Sequence, residues 1–94
     1  MTLDREWAKL RRSLDLQEEQ FKNKILPRNR LTQETIDNIN LQIQHIKLSL
    51  LTRRRNIASF SKIENEMNHL AVDLLTAGRM SGMEHVLVFS SELP

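Results

Sequence analysis

The chain has 94 residues and no cysteine, which excludes a disulfide framework, a thiolate metal site and a cysteine nucleophile. Hydrophobic residues make up 39% and aromatic residues 4%, with 2 glycines and 2 prolines, so the composition favours an all-α fold over turn-rich sandwiches and barrels. The net charge of +2 hides a basic segment, residues 27–60, and an acidic one, residues 61–94. Such segments can attract each other or present a basic surface to an acidic partner.

The first residues carry the charges of Asp4, Arg5 and Glu6 and lack the apolar run of a signal peptide. No stretch approaches the ~18 apolar residues of a membrane-spanning helix. We therefore expect a soluble intracellular protein with no membrane contact, in the cytoplasm or the nucleus.

A heptad pattern predicts the first helix over residues 3–25. Its apolar seam repeats in steps of three and four and consists of Leu3, Trp7, Leu10, Leu14, Gln17, Phe21 and Ile25. Pro27 ends this helix, because the residue before a proline is pushed out of helical geometry. The loop that follows, residues 26–32, has the length of connections between antiparallel helices.

A second heptad pattern predicts a helix over residues 33–58, with Thr32 as its N-cap. The seam consists of Ile36, Ile39, Ile43, Ile46, Leu50, Arg53, Ile57 and Phe60. Leu41, Leu48 and Leu51 widen the apolar face beyond this seam. When the two helices fold into a hairpin, Arg53 is expected to form a salt bridge with Asp4 or Glu6.

A third helix is predicted over residues 61–77, starting at a capping box formed by Ser61 and Glu64 and ending before Gly78. The alternative is one continuous helix from Thr32 to Ala77. Beyond it lies an apolar segment, residues 83–90, which the pattern leaves open between a strand, a helical turn and buried extended chain.

Together these elements predict one all-α domain over residues 1–94. It is an antiparallel helical hairpin plus a third helix, packed in the manner of a coiled coil and assembled as a dimeric helical bundle. Isoleucine at both seam positions favours more than two packed helices, and two paired hairpins would supply them.

The candidate chemical motifs are weak. Glu66 and His69 have the Glu-x-x-His spacing of di-iron bundles, but they share with Lys62 and Asp73 a stripe opposite the apolar one, where a solvated ion-pair network is expected. His45 lies outside the seam and His85 has no partner at ligand spacing. We therefore predict no catalytic residue, metal site or cofactor.

Residues 36–58, with isoleucines and leucines at helical spacing and arginines before Ala58, resemble the first helix of the all-helical chorismate mutases. That family forms an intertwined helical dimer with an arginine- and lysine-rich pocket. The chain has Asp37 where the family has an early arginine, and residues 64–66 offer Glu, Asn and Glu where the family has a lysine. The resemblance therefore lies in the helix pattern and does not extend to the pocket.

These patterns favour a non-enzymatic protein–protein interaction module, an adaptor, assembly or regulatory factor that binds itself as a homodimer or another helical protein. The candidate partner-binding residues are Leu41, Leu48, Leu51, Val86, Leu87, Val88 and Phe89. The alternative is a small basic nucleic-acid-binding regulator whose arginines contact phosphates. These arginines are Arg28, Arg30, Arg53, Arg54 and Arg55. A third hypothesis is an enzyme whose pocket is shared between two chains.

Overall fold

The computed structural model describes residues 2–78, which form a bundle of three α-helices. Helix α1 spans Thr2–Gln20, α2 spans Gln33–Thr52 and α3 spans Ile57–Gly78. Each helix runs back along the one before it, so that α1 and α3 are parallel to each other. The predicted all-α class is confirmed for these residues, whereas the apolar segment 83–90 lies outside them.

The C-terminal part of the first predicted helix is a π-helical turn over Phe21–Ile25. The backbone N–H of Leu26 donates to the carbonyl of Phe21, five residues earlier, which is the wider π spacing. This turn keeps both Phe21 and Ile25 buried. A 3₁₀ turn, Leu26–Arg28, contains Pro27 and completes the change of direction.

The start of α2 agrees with the predicted one. Thr32 is the N-cap residue, and its hydroxyl oxygen accepts a hydrogen bond from the backbone N–H of Thr35 at 3.2 Å. This bond satisfies one of the amides that a helix start leaves without an internal partner.

The junction between α2 and α3 differs from the predicted one. Helix α2 ends at Thr52 rather than at residue 58, since Arg53 is extended at φ −78° and ψ 149°. Helix α3 begins at Ile57, four residues before the predicted start, and is capped by Asn56, whose Oδ1 accepts from the N–H of Ser59 at 2.8 Å. The predicted capping box at Ser61 and the continuous helix are therefore both wrong. A continued helix would have carried the Arg53 guanidinium toward the core, where burial of a charge is costly.

The core is one cluster to which all three helices contribute. It consists of Trp7, Leu10, Leu14, Phe21, Ile25, Ile39, Ile43, Ile46, Leu50, Phe60, Ile63, Met67, Leu70, Leu74 and Ala77. The first predicted seam and the second up to Leu50 line this core, whereas Ile57, placed on the second seam, is 76% exposed. The indole N–H of Trp7 donates to the carbonyl of Leu50 at 3.1 Å. Trp7 thus satisfies one of the carbonyls that the C-terminus of α2 leaves free.

Candidate interaction surface

The side of α2 that faces away from the core carries a second heptad pattern. We call it the outer seam, and it consists of Glu34, Asp37, Leu41, Gln44, Leu48 and Leu51, all exposed. Leu41 is 70% exposed, Leu48 59% and Leu51 73%. The residues alternate in steps of three and four, which is the spacing of a helix face that packs against another helix.

The outer seam follows from how α2 is placed in the bundle. Ile39 and Ile43 are buried against the other helices, and Leu41 lies two positions from each of them. Two residues rotate a helix position by about 200°, so Leu41 points away from the core. Single exposed leucines are common on soluble proteins, but leucines that share one face at heptad spacing are typical of a contact surface.

The outer seam is acidic at one end and is followed by arginines at the other. Glu34 and Asp37 lie in the first two turns of α2, and residues 53–55, which we call the arginine turn, follow its last residue. Arg55 forms an ion pair with Asp4 at 3.3 Å and its guanidinium lies 5.9 Å from the centre of the Trp7 ring. The predicted salt bridge therefore involves Arg55 in place of Arg53, because the chain leaves the helix before Arg53.

The two groups of arginines are far apart in one copy of the chain. Arg28 and Arg30 are exposed in the connection before α2, whereas the arginine turn follows it. The 20 residues of α2 separate the groups by about 30 Å at 1.5 Å per residue. The fold thus does not bring the candidate phosphate-binding arginines together on one site.

A polar cluster bridges α2 and α3 on another side of the bundle. His45 Nε2 lies 2.7 Å from Glu66 Oε2, Gln42 donates to Asp73 at 2.7 Å, and His69 lies 3.5 Å from Asp73. Glu66 and Asp73 therefore face α2 and are only 26% and 30% exposed, which corrects their expected orientation toward solvent.

The polar cluster borders a groove of about 210 Å³, below the ~300–1,000 Å³ of typical ligand pockets. Within residues 2–78, no group of three or more metal-ligating side chains is arranged to hold a metal ion. The polar cluster is best described as a set of ion pairs and hydrogen bonds that fasten α3 to α2.

Among residues 2–78, three further large apolar side chains are exposed, one on α1 and two on α3. Leu16 on α1 is 51% exposed and Val72 on α3 is 61% exposed. Ile57, which sequence reasoning placed in the core, lies beside the arginine turn. Its exposure follows from the new helix start at that residue, for which Asn56 was the available signal. The other candidate partner-binding residues, Val86 to Phe89, lie outside the described residues.

No protein-family model matches the chain, and the searches of curated proteins and of solved structures found no significant similarity. In the part of the chain that the structure describes, none of the helices has the length and apolar character needed to cross a membrane. Because these comparisons indicate no function, the exposed leucines of the outer seam are the strongest structural indication of one.

Proposed function

We propose that this protein is a non-enzymatic helical interaction module, an adaptor, assembly or regulatory factor, that works as an oligomer by packing a helix against the outer seam of α2. One observation supports this proposal above the others. Leu41, Leu48 and Leu51 keep 59–73% of their surface exposed although they share one helix face. Burial of such side chains by a partner is favourable by about 1.5–3 kcal/mol each when it is complete.

The geometry of the outer seam supports an amphipathic helix as the partner in this proposal. Leu41 and Leu51 are ten residues apart, which is about 15 Å along the helix axis. Gln44 lies between Leu41 and Leu48 and can hydrogen-bond across the interface, as polar seam residues do. A narrow apolar stripe of this kind fits a second amphipathic helix better than a small molecule or an extended peptide.

The test is site-specific photo-cross-linking in cells, with the photoreactive residue in place of Gln44. The matched control carries it in place of Arg12, which is exposed on α1. We expect cross-linked products from position 44 and not from position 12, and we expect them to disappear in the Leu41→Gln/Leu48→Gln variant. The Leu16→Gln variant removes an exposed leucine from α1 and should still give the cross-linked products from position 44. Equal products at both positions, or products that survive the change of both leucines, would contradict the proposal.

Nucleic-acid binding is the second candidate, and the observation in its favour is the exposed arginine turn. Arg54 and Arg55 are exposed and Arg53 is half-buried in the short connection between α2 and α3, which presents several cations within a short span. If this candidate is correct, random duplex DNA or RNA should increase the particle mass at low salt, and moderate salt should reverse the increase. The Arg53→Ala/Arg54→Ala variant should then bind nucleic acid more weakly. A particle mass that nucleic acid leaves unchanged at low salt would exclude the nucleic-acid-binding candidate.

A further inference from the structure

We infer that the helix which covers the outer seam is α2 of a second copy of this chain, packed antiparallel about a two-fold axis that passes near Gln44 and Leu48. This inference rests on the proposed function and names its partner. A two-fold interface requires one surface to be complementary to itself, so the outer seam must match its own reversed copy in shape and in charge.

The apolar part of the outer seam meets the shape requirement. In an antiparallel pair of seams, the first position of each heptad in one helix faces the fourth position in the other. With the axis between Gln44 and Leu48, each Leu41 faces Leu51 of the second copy and each Leu48 faces Gln44 of it. The Leu41–Leu51 layer then occurs once on each side of the axis, the two Leu48–Gln44 layers lie between, and no charged residue enters the centre.

The charges at the two ends of the outer seam decide the direction. In the antiparallel arrangement, Glu34 and Asp37 of each copy approach the arginine turn of the other, so opposite charges meet at both ends. A parallel pair would place acidic residues beside acidic residues and arginines beside arginines. Opposed helix dipoles favour the antiparallel arrangement as well.

These end charges are available for contacts between copies. Among the described residues, no ion pair includes Glu34, Asp37, Arg53 or Arg54. Asp37 accepts a hydrogen bond from Gln33 at 2.8 Å, one turn earlier in the same helix. Only Arg55 of the arginine turn is paired within the bundle, with Asp4. The other charges are thus placed to select the orientation of a partner, which is the main effect of charges at the edge of an interface.

The experiment uses the purified full chain and two charge-reversed variants, Glu34→Lys/Asp37→Lys and Arg53→Glu/Arg54→Glu. Light scattering over a concentration series measures the mass of each variant alone and of their equimolar mixture. We expect the unchanged chain to dimerise and each variant alone to dimerise at least about tenfold more weakly, since like charges then meet at both ends. The mixture should regain the dimer, because both ends of a mixed dimer again join opposite charges.

The Glu19→Lys variant reverses an exposed charge on α1 and should dimerise like the unchanged chain. Thermal unfolding followed by circular dichroism verifies that each variant is folded. Because Arg53 and Arg54 lie outside the helices, Arg53→Glu/Arg54→Glu keeps the experiment decisive even if Glu34→Lys weakens the start of α2.

Three results would overturn the inference: an unchanged chain that stays monomeric at every concentration, a dimer insensitive to both reversals, or a mixture that does not recover. A monomer whose Gln44 position cross-links to a different protein in cells would overturn the second-copy partner and leave the proposed function standing. A monomer that also fails to cross-link from Gln44 would remove both.

Discussion

Gln17 is the most unusual single residue of the core. It is 2% exposed, and its neighbours along the first seam, Leu14 and Phe21, are fully buried. The amide nitrogen donates to the carbonyl of Met67 at 3.5 Å, a long hydrogen bond, while the buried Oε1 atom has no hydrogen-bond partner. An unsatisfied buried acceptor costs about 1–3 kcal/mol. We therefore expect Gln17 to lower the stability of the bundle, while it provides one polar link between α1 and α3.

We expect the Gln17→Met variant to be more stable than the unchanged chain, with a free energy of unfolding higher by about 1 kcal/mol. Methionine has a similar volume and length, so it can fill the same space without a cavity and without a buried acceptor. Urea unfolding measures the difference. The Gln44→Met variant, on the exposed outer seam and measured at low protein concentration, should stay within about 0.5 kcal/mol of the unchanged chain. A less stable Gln17→Met variant would show that the hydrogen bond to Met67 outweighs the unpaired oxygen.

At the scale of the elements, the turn between α2 and α3 determines which residues reach the core. Asn56 ends the connection by capping α3, and the N–H of Phe60 donates to the carbonyl of Asn56 at 2.9 Å as the first helical turn closes. Phe60 is thereby turned into the core at 2% exposure. The cap thus aligns α3 with α1 and α2.

The Asn56→Ala variant should lower the free energy of unfolding by about 1 kcal/mol, since the N–H of Ser59 loses its acceptor. The matched control is Ser61→Ala, which changes the residue that the sequence pattern placed at the helix start. Ser61 is exposed and lies within the first turns of α3, so this control should stay within about 0.5 kcal/mol. Chemical unfolding of both variants gives the comparison. A larger loss at Ser61 than at Asn56 would contradict the cap found in the structure.

The heptad pattern predicted the core correctly over most of the chain and was wrong at this turn. The spacing continues without a slip through Arg53, Ile57 and Phe60, and neither glycine nor proline marks the break. The pattern describes which residues share a face of a helix and does not show where the helix stops. A charged residue at a seam position, followed by an asparagine that can cap a new helix, was the signal available.

The surface could be predicted only in part. Leu41, Leu48 and Leu51 stood out as apolar residues beyond the second predicted seam, and the structure shows that they face solvent. Sequence reasoning missed that Glu34, Asp37 and Gln44 belong to the same face. It also misplaced Glu66 and Asp73, since their contacts with α2 depend on how two helices are rotated against each other. Such rotations follow from packing of the whole core and have no local signature.

At the scale of the whole molecule, ion pairs between helices make its stability depend on pH. Glu18 on α1 lies 2.8 Å from Lys47 on α2 and 3.1 Å from Lys22 in the π-helical turn. The hydrogen bond from Lys47 lowers the pKa of Glu18 below its ordinary value of 4.5; burial opposes the shift and the contact with Lys22 adds to it. Burial of Glu64 has the opposite effect and raises its pKa, with a further contribution from the charge of Glu6.

The Glu18→Gln variant should therefore lose about 0.5–1 kcal/mol of stability at neutral pH. Because the pKa of Glu18 is lowered by folding, its contribution is present above pH 4.5 and is lost as the pH falls through the folded-state pKa. The difference in the free energy of unfolding between this variant and the unchanged chain should shrink over that range.

The Glu64→Gln variant should behave in the opposite way, since a carboxyl whose pKa is raised by folding destabilises the bundle as the pH rises above 4.5. This variant should be more stable than the unchanged chain at neutral pH and equal to it in acid. Urea unfolding at a series of pH values from 3 to 7 measures both trends, and parallel curves for the two variants would contradict the assignment of opposite roles to the two carboxylates.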